Sequence, residues 1–226
     1  MIGTPPASSR DRGAALRAVV GIFLPVDCVG CGAPDRALCA SCRTHVAARP
    51  PGVRLVAGVR TDVAFAYEGL VRTLVLEVKL RARVDLAGPL AHRFGALVRR
   101  ALAEAPDGTV VLRVPPSRRG ARRRGFDPVV LLLRRGRAPV GSALVRSTVR
   151  GGRSGGRDGS GQKELTATER VAATVGTLRA EGVAGRTVVL VDDVVTTGVT
   201  LAEAVRAVRA AGGTVLRCVA VASVDG

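Results

Sequence analysis

The C-terminal quarter of the chain has the clearest succession of hydrophobic and polar positions. An unbroken apolar run at Thr187 to Val191 is typical of a parallel strand that is covered on both faces. Apolar residues then recur at helical spacing from Thr200 to Ala211, Gly212-Gly213 supplies a stop, and Thr214 to Ala222 predicts another strand. A strand, a loop, a helix and a strand in this order predict a βαβ unit with a right-handed crossover.

Weaker patterning upstream predicts the rest of an α/β domain. Short β-branched runs indicate strands, and apolar residues three or four positions apart indicate helices. The predicted strands are one or two within Val53 to Tyr67 and one at Thr109 to Val114, and the predicted helices are two within Leu70 to Leu102, one at Phe126 to Arg135 with Pro128 in its first turn, and one at Leu165 to Leu178. Together they predict an α/β fold with a parallel sheet flanked by helices.

Three polar segments are predicted to lie outside the regular elements, because they offer too little apolar surface to pack into a core. Met1 to Arg12 is rich in Pro, Ser and Gly. Pro115 to Gly125 is dense in arginine and predicts a loop. Arg150 to Gly161 has no apolar side chain, and we expect either a mobile loop over a site or a flexible surface linker.

A domain boundary is predicted in Ala47 to Gly52, where two prolines favour an extended linker. The predicted organisation is a loose N-terminus with an amphipathic helix (1–22), a small cysteine module (23–48) and an α/β domain (53–226). No uninterrupted apolar run approaches the roughly 20 residues of a membrane-spanning helix. We therefore expect a cytoplasmic protein with no membrane span.

Four cysteines near the N-terminus form two CxxC pairs, Cys28 with Cys31 and Cys39 with Cys42, separated by seven residues. Four thiolates on two tight turns can surround one tetrahedral Zn²⁺, and such a closed site would hold the module folded rather than take part in chemistry. Disulfides and a redox CxxC are the alternatives. A cytoplasmic location disfavours disulfides, and a redox site needs only one pair.

The formal net charge of +17 indicates anionic partners, a class that includes nucleic acid, acidic membrane surfaces and phosphorylated metabolites. Charge alone does not choose among them, because arginine used throughout as the surface cation gives the same total. Aromatic residues make up only 2% of the chain, which disfavours recognition of bases by stacking on an exposed aromatic platform. Contacts with phosphate groups remain open.

The segment Val188 to Thr200 carries the most specific chemistry. In an α/β sheet the ligand lies beyond the carboxyl ends of the parallel strands, and Asp192 and Asp193 follow the predicted strand at that place. Adjacent carboxylates can accept hydrogen bonds from neighbouring sugar hydroxyls, and they can help to hold Mg²⁺ near a pyrophosphate. The two aspartates therefore predict a site for a sugar phosphate.

The same segment continues into the start of the predicted helix. Unpaired N–H groups and the positive end of the dipole make a helix N-terminus a seat for a phosphate dianion, and a glycine allows close backbone approach. The residues that supply these groups are Thr196, Thr197, Gly198 and Thr200. An ordinary strand-to-helix turn capped by Asp and Thr is the simpler alternative, but it does not require two Asp, three Thr and a Gly in this order.

Val189 to Thr200 resembles the 5-phosphoribosyl-1-pyrophosphate signature of type I phosphoribosyltransferases across its whole length. The resemblance implies that the acidic pair binds the ribose hydroxyls and is catalytic, and that the following segment cradles the 5′-phosphate. The ligand-binding residues are then Asp192, Asp193, Val194, Thr196, Thr197, Gly198 and Thr200. The implied reaction displaces pyrophosphate from C1 of the ribose by a nitrogen nucleophile, with Mg²⁺ as cofactor.

Five arginines in the segment Pro115 to Gly125 can neutralise a leaving pyrophosphate or contact nucleic acid, since guanidinium forks match phosphate oxygens. They are Arg118, Arg119, Arg122, Arg123 and Arg124. For any single one of them, a solvated position on a basic loop is the alternative.

The order of a four-cysteine module and a phosphoribosyltransferase signature resembles the ComF family of competence-associated proteins. Similar segments, in the same order, are Leu24 to Gly32, Tyr67-Glu-Gly69 with Lys79, Val114-Pro115, Arg124-Gly-Phe126, and Gln162 to Leu165 with Glu169-Arg170. The chain departs from the family at Asp127, where Asn is common, at Ala172-Ala173, and in the block Val114 to Ser117.

These departures concern the acceptor and pyrophosphate side of the site. The ComF resemblance therefore leaves a second hypothesis beside the enzyme, in which the ligand site is regulatory or not catalytic. In this alternative the chain is an accessory protein of DNA uptake that binds single-stranded DNA and contacts the DNA-uptake machinery.

Overall fold

The computed structural model describes residues 26–147 and 175–224. The predicted N-terminal segment 1–22 and the predicted mobile loop Arg150 to Gly161 lie outside these ranges. The chain divides into two compact units, residues 1–48 and 49–226. No helix within the described ranges is both long enough and apolar enough to cross a membrane.

The first unit consists, where it is described, of tight turns followed by helix α1 (Ala40–Ala48). The turn at the first CxxC pair closes through hydrogen bonds in both directions. Gly32 N–H donates to the Cys28 carbonyl at 2.8 Å, and Cys28 N–H donates to the Ala33 carbonyl at 2.8 Å. Gly32 has φ +74°, a conformation that glycine adopts without strain.

The second unit contains eight strands and five helices among the described residues. The strands are β1 (Gly52–Val56), β2 (Val59–Ala66), β3 (Val110–Arg113), β4 (Ser142–Ala143), β5 (Val145–Arg146), β6 (Leu178–Arg179), β7 (Thr187–Val195) and β8 (Thr214–Ser223). The helices are α2 (Gly69–Arg81), α3 (Ala87–Ala103), α4 (Arg118–Arg124), α5 (Pro128–Arg135) and α6 (Val199–Ala210), with one 3₁₀ turn at Val84–Leu86.

Six strands form one sheet in the order β1-β2-β8-β7-β3-β4. Only the edge strand β1 is antiparallel to its neighbour in this sheet, as far as it is described, and the other adjacent strands are parallel. Strands β5 and β6 form a separate antiparallel ribbon. The predicted α/β class and the predicted βαβ unit, which is β7-α6-β8, are both confirmed.

Burial on both faces explains the unbroken apolar sequence of β7. Val188, Val189, Leu190 and Val191 are completely buried. Successive strand residues point to opposite faces, and Val188 and Leu190 pack in one core with the apolar face of α6. Helices α3 and α5 also contact β7, so neither face of the strand meets water over Val188 to Val191.

The arginine-dense segment Pro115 to Gly125 was predicted as a loop, and this prediction is wrong for residues 118–124, which form α4. The Ser117 hydroxyl accepts a hydrogen bond from Gly120 N–H at 3.1 Å and caps the helix start. Gly125, at φ +69°, ends the helix in the left-handed conformation. The helix has no apolar periodicity, which is why the hydrophobic pattern does not predict it.

The end of the predicted helix Leu165 to Leu178 is also wrong within the part that is described. Val175 and Gly176 form a turn, with Gly176 at φ +79°, and Leu178 lies in β6. Leu178 N–H donates to the buried Glu203 carboxylate at 3.0 Å, so a side chain of α6 holds this strand. The periodicity alone does not distinguish a short buried strand from the last turn of a helix.

Helices α3 and α5 approach closely through two glycines, and this contact positions the start of α5. A Cβ added to Gly95 of α3 would lie 2.7 Å from the carbonyl carbon of Gly136, just after α5, and closer still to its oxygen. Backbone atoms at this distance must move, so no larger residue fits without separating the helices.

We expect Gly95→Ala to lower the free energy of unfolding by about 1 to 3 kcal/mol, because overpacking forces backbone shifts. Gly88→Ala is the matched control on the same helix, since a Cβ there meets nothing within 4 Å. We expect Gly88→Ala to be neutral or to stabilise by up to about 1 kcal/mol through helix propensity. Urea unfolding measures both, and equal effects of the two substitutions would contradict the proposed close contact.

Candidate functional site

The cleft opens where β3 stops pairing with β7. The ladder between them ends at Arg113 and Val191, and Val114 N–H makes the last bond, to the Val191 carbonyl at 2.9 Å. Pro115 and Pro116 follow, and proline has no N–H with which to continue a ladder. On its other side β7 stays paired with β8 as far as Val195.

The predicted strand end at Val191 is therefore corrected to Val195, and the two aspartates lie inside β7 rather than after it. Asp192 pairs with Ala220 of β8, while no strand covers the opposite edge of β7 at this level in the described sheet. The backbone of β7 is thus held by β8, and both carboxylates border the open space beyond β3.

A cleft of about 200 Å³ occupies this space at the carboxyl ends of β3 and β7. Its walls carry three basic and three acidic side chains together with the Val114 to Ser117 turn. The charged residues are Lys79, Arg124, Arg146, Asp127, Asp192 and Asp193. This is the place where an open α/β sheet binds its ligand, and its balance of charges suits an anion that also carries hydroxyl groups.

Asp192 is buried, with 8% of its surface exposed. One carboxylate oxygen, Oδ1, accepts a hydrogen bond from Asp193 N–H at 2.8 Å. Burial, and after it the neighbouring Asp193 carboxylate, raises the pKa of Asp192 to about 8. This carboxyl is therefore mostly protonated at neutral pH.

Asp193 has a partner for each carboxylate oxygen. Oδ1 accepts a hydrogen bond from Val194 N–H at 2.7 Å, and Oδ2 forms an ion pair with Lys79 Nζ of α2 at 2.8 Å. The ion pair with Lys79 places the Asp193 side chain against α2. A ligand hydroxyl that binds Asp193 must share it with Lys79 or displace that side chain.

Lys79, Arg146 and Asp127 are the charged residues of the cleft that were not predicted as site residues. Lys79 is one of only two lysines in an arginine-rich chain, and it lies in a segment that resembles ComF proteins, which is the signal that could have singled it out. Arg146 donates from Nη2 to the Pro115 carbonyl at 2.8 Å and from Nε to the Pro116 carbonyl at 3.1 Å. No sequence pattern indicates such a contact between β5 and the turn after β3.

The predicted phosphate segment, Thr196 to Thr200, runs from the end of β7 into the first turn of α6. Gly198 has φ +79° and is the N-cap of α6, and no described side chain caps the helix start. Gly198 is buried, while three threonines in this segment are exposed, namely Thr196, Thr197 and Thr200. Of these residues Thr200 lines the cleft, and Val194 lines it as well. The start of α6 thus offers backbone N–H groups and hydroxyls beside the acidic pair.

The five predicted arginines differ in their positions along α4. Arg124 lines the cleft, its Nη1 lies 3.5 Å from the Lys79 carbonyl, and its buried Nε has no acceptor among the described residues. Arg122 and Arg123 are exposed and do not line the cleft. The backbone of Arg118 and Arg119 is helical, and their side chains lie outside the part that the structure describes.

Asp127, where ComF proteins commonly have Asn, supports the cleft wall. Its Oδ1 accepts from Val129 N–H at 2.9 Å and from Val130 N–H at 3.4 Å, which caps α5. Its Oδ2 forms an ion pair with Arg113 Nη1 at 2.5 Å. Both side chains are mostly buried, so the acid at this position neutralises an arginine that an amide would leave uncompensated.

The four cysteines of the first unit form one cluster, in which the ligand atoms all lie within 4.8 Å of one another. None is in a disulfide. Cys39 N–H donates to Cys28 Sγ at 3.3 Å, and Cys42 N–H donates to Cys39 Sγ at 3.4 Å. The tight turn at Cys28 and Cys31 and the start of α1 at Cys39 and Cys42 converge with N–H donors on sulfur, which suits a closed four-thiolate site, and the cluster can hold one Zn²⁺.

The fold and the cleft define an α/β protein with an anion site at the carboxyl edge of a mostly parallel sheet. Residues 123–225 match the family model of the phosphoribosyl transferase domain. The match covers just under half of the chain and includes α5, β7, α6 and β8, with both aspartates. It supports a protein of the phosphoribosyltransferase class. No curated protein matches the chain.

We expect the purified protein to contain one Zn²⁺ per chain, because four clustered thiolates match its tetrahedral preference. Cys39→Ser removes one ligand and is expected to lower the zinc content well below one. Cys218→Ala is the control, since Cys218 is buried in β8 and lies outside the cluster. Mass spectrometric metal analysis measures all three proteins. A wild type without zinc, or an equal loss in both variants, would contradict the prediction.

Asp192 is expected to make the stability of the fold depend on pH. Because folding raises the pKa of Asp192 from its ordinary value of 3.8 to about 8, the native state keeps a proton that the unfolded chain has released. Stability therefore falls as pH rises through this window.

Asp192→Asn is expected to remove this loss and to be more stable than the wild type by at least about 1 kcal/mol at pH 8, with the difference shrinking toward pH 4. Urea unfolding across this range measures the effect. Asp107→Asn, at an exposed turn, is the control. Parallel profiles of the free energy of unfolding against pH for wild type and Asp192→Asn would contradict the raised pKa of Asp192.

Proposed function

We propose that the protein binds 5-phosphoribosyl-1-pyrophosphate with Mg²⁺ and transfers the phosphoribosyl group to a nitrogen acceptor. The observation that carries this proposal is the cleft in which the adjacent Asp192 and Asp193 lie beside the uncapped start of α6. The phosphoribosyl transferase match over residues 123–225 supports it.

The proposed pose follows from the chemistry of each wall. The carboxyl groups of Asp192 and Asp193 bind the two ribose hydroxyls and are the catalytic pair. The 5′-phosphate lies at the start of α6, where Thr196, Thr197, Gly198 and Thr200 offer hydroxyl and backbone donors, with Val194 beside the sugar. The buried, mostly protonated Asp192 can both donate to and accept from a hydroxyl, whereas Asp193 accepts only.

The basic side chains of the cleft are proposed to receive the pyrophosphate. Arg124 has a buried Nε without an acceptor among the described residues, and Lys79 and Arg146 lie on the same cleft. The guanidinium groups of Arg124 and Arg146 match phosphate oxygens, and the Lys79 ammonium group adds a third positive charge. Together these three cations neutralise the charge that leaves with pyrophosphate. The exposed Arg122 and Arg123 are less suited to this role, because water screens them.

The acidic pair fits Mg²⁺ only as part of a shared site. Magnesium prefers hard oxygen ligands, but both oxygens of Asp193 already have partners, and Asp192 must release its proton before it can serve as a carboxylate ligand. Asp192 and Asp193 would therefore hold the metal together with the diphosphate oxygens rather than form a separate protein cage. When bound, Mg²⁺ supplies charge neutralisation at the diphosphate.

The proposed reaction breaks the bond between ribose C1 and the diphosphate oxygen, and pyrophosphate leaves with the electron pair. The acceptor nitrogen forms the new bond to C1 and loses a proton. Positive charge develops on the sugar in between, so catalysis depends on positioning and on carboxylates held near the ribose. The buried backbone of β7, paired to β8, supplies that rigidity.

A ComF-like role in the cytoplasm is the finer form of this proposal, motivated by the four-cysteine cluster ahead of the domain. Its alternative is an accessory protein of DNA uptake that binds single-stranded DNA and the uptake machinery, with a regulatory or non-catalytic ligand site. This alternative is supported by Arg122 and Arg123, which are exposed and do not line the cleft. Both side chains can therefore contact the phosphate backbone of DNA.

Isothermal titration with 5-phosphoribosyl-1-pyrophosphate and Mg²⁺ is expected to show binding to the wild type. Asp193→Ala is expected to weaken it about tenfold or more, because a hydrogen bond from a ribose hydroxyl to a charged group is lost. Asp107→Ala, at an exposed turn, is expected to change nothing. Absence of heat with the wild type would refute the proposal. Binding of single-stranded DNA in that case would favour the alternative.

A further inference from the structure

Arg54 of the edge strand β1 reaches Thr196, the first residue of the phosphate segment, although the two residues are far apart in sequence. Its Nη1 lies 3.2 Å from the Thr196 carbonyl oxygen, 2.7 Å from Ser223 Oγ and 3.1 Å from the Val224 carbonyl oxygen. The Arg54 side chain is half-buried. One cationic group therefore ties the hairpin β1-β2 to the segment between β7 and α6 and to the end of β8.

The orientation of one peptide group follows from this contact. The described chain has no cis peptide bond, so the Thr196 carbonyl and the Thr197 N–H of the same planar peptide point in opposite directions. Because the carbonyl oxygen points to Arg54, the Thr197 N–H points away from the hairpin. A cation at the carbonyl also polarises the peptide and strengthens its N–H as a donor.

The end of β8 and the hairpin restrict the same segment from one side. Val224 N–H donates to the Val195 carbonyl at 2.9 Å, which closes the β7-β8 ladder just before Thr196. At Gly198 a Cβ would lie 3.4 Å from Val56 Cγ1, so β1 packs directly against the start of α6. Without Arg54, the Thr196 carbonyl would lose this side-chain donor, while Val195 would keep its bond to Val224 and Gly198 its contact with Val56.

We propose that Arg54 is a positioning residue for the phosphate site, which holds the Thr196 carbonyl outward so that the Thr197 N–H is aimed at the 5′-phosphate. The proposal rests on the proposed function, because it assigns the phosphate to the start of α6. Arg54 itself does not touch the ligand. Its effect is specific to the phosphate end of the cleft, since its contacts with the described residues are to Thr196, Ser223 and Val224 and not to the acidic pair or the basic side chains of the cleft.

The experiment separates the two ends of the ligand by titrating ribose 5-phosphate and pyrophosphate with Mg²⁺ independently. Arg54→Gln is expected to weaken ribose 5-phosphate about tenfold or more, the size of a lost charge-assisted hydrogen bond, and to leave pyrophosphate unchanged. Arg54→Lys keeps the positive charge and has an ammonium group as donor, so its affinity for ribose 5-phosphate is expected to fall less than that of Arg54→Gln. It also serves as the test if Arg54→Gln does not fold.

Arg209→Gln is the matched control. Arg209 Nη1 donates to the Ala57 carbonyl at 3.3 Å, a bond of the same type to the same hairpin, and it does not reach the phosphate segment. Unchanged affinity for ribose 5-phosphate in Arg54→Gln, or an equal loss of both ligands, would overturn the role of Arg54. A wild type that binds neither ribose 5-phosphate nor 5-phosphoribosyl-1-pyrophosphate would overturn the proposed function, and the assignment of Arg54 with it.

Discussion

The site depends on the backbone hydrogen bonds of β7, which stop at Val191 on the side of β3 and continue to Val195 on the side of β8. Pro115 and Pro116 cannot donate to β7, so pairing with β3 ends at Val191, while β8 still holds β7 as far as Val195. This difference leaves the carboxyl end of a buried strand bordering open space without loosening its backbone. A rigid strand that ends in a cleft is what a site with fixed carboxylates requires.

The charges in the cleft follow from this placement. Burial keeps Asp192 mostly protonated at neutral pH, and Lys79 neutralises Asp193, so the cleft does not carry the full charge of two adjacent carboxylates. Arg124, whose buried Nε has no acceptor among the described residues, adds positive charge to the cleft wall. The cleft is thus arranged to attract an anion, and hydroxyl groups of that anion can then compete with Lys79 for Asp193.

Local signals predicted the parts of the fold that depend on neighbours in sequence. The apolar run of β7, the periodicity of α6 and the following glycines identify the βαβ unit, and the CxxC spacing identifies the cysteine cluster. Contacts across the sequence were not predictable in the same way. The ion pair of Lys79 with Asp193 joins α2 to β7, and Arg54 joins β1 to the phosphate segment. Helix α4 was missed because its caps, not apolar periodicity, define its ends.

A crystal structure with 5-phosphoribosyl-1-pyrophosphate and Mg²⁺ tests the central claim most directly. The account predicts both ribose hydroxyls within hydrogen-bonding distance of Asp192 and Asp193, the 5′-phosphate at the N-terminus of α6, and the diphosphate against Arg124. A ligand bound outside the cleft beyond Pro115 and Pro116, or bound in the reverse direction with its diphosphate on α6, would contradict it.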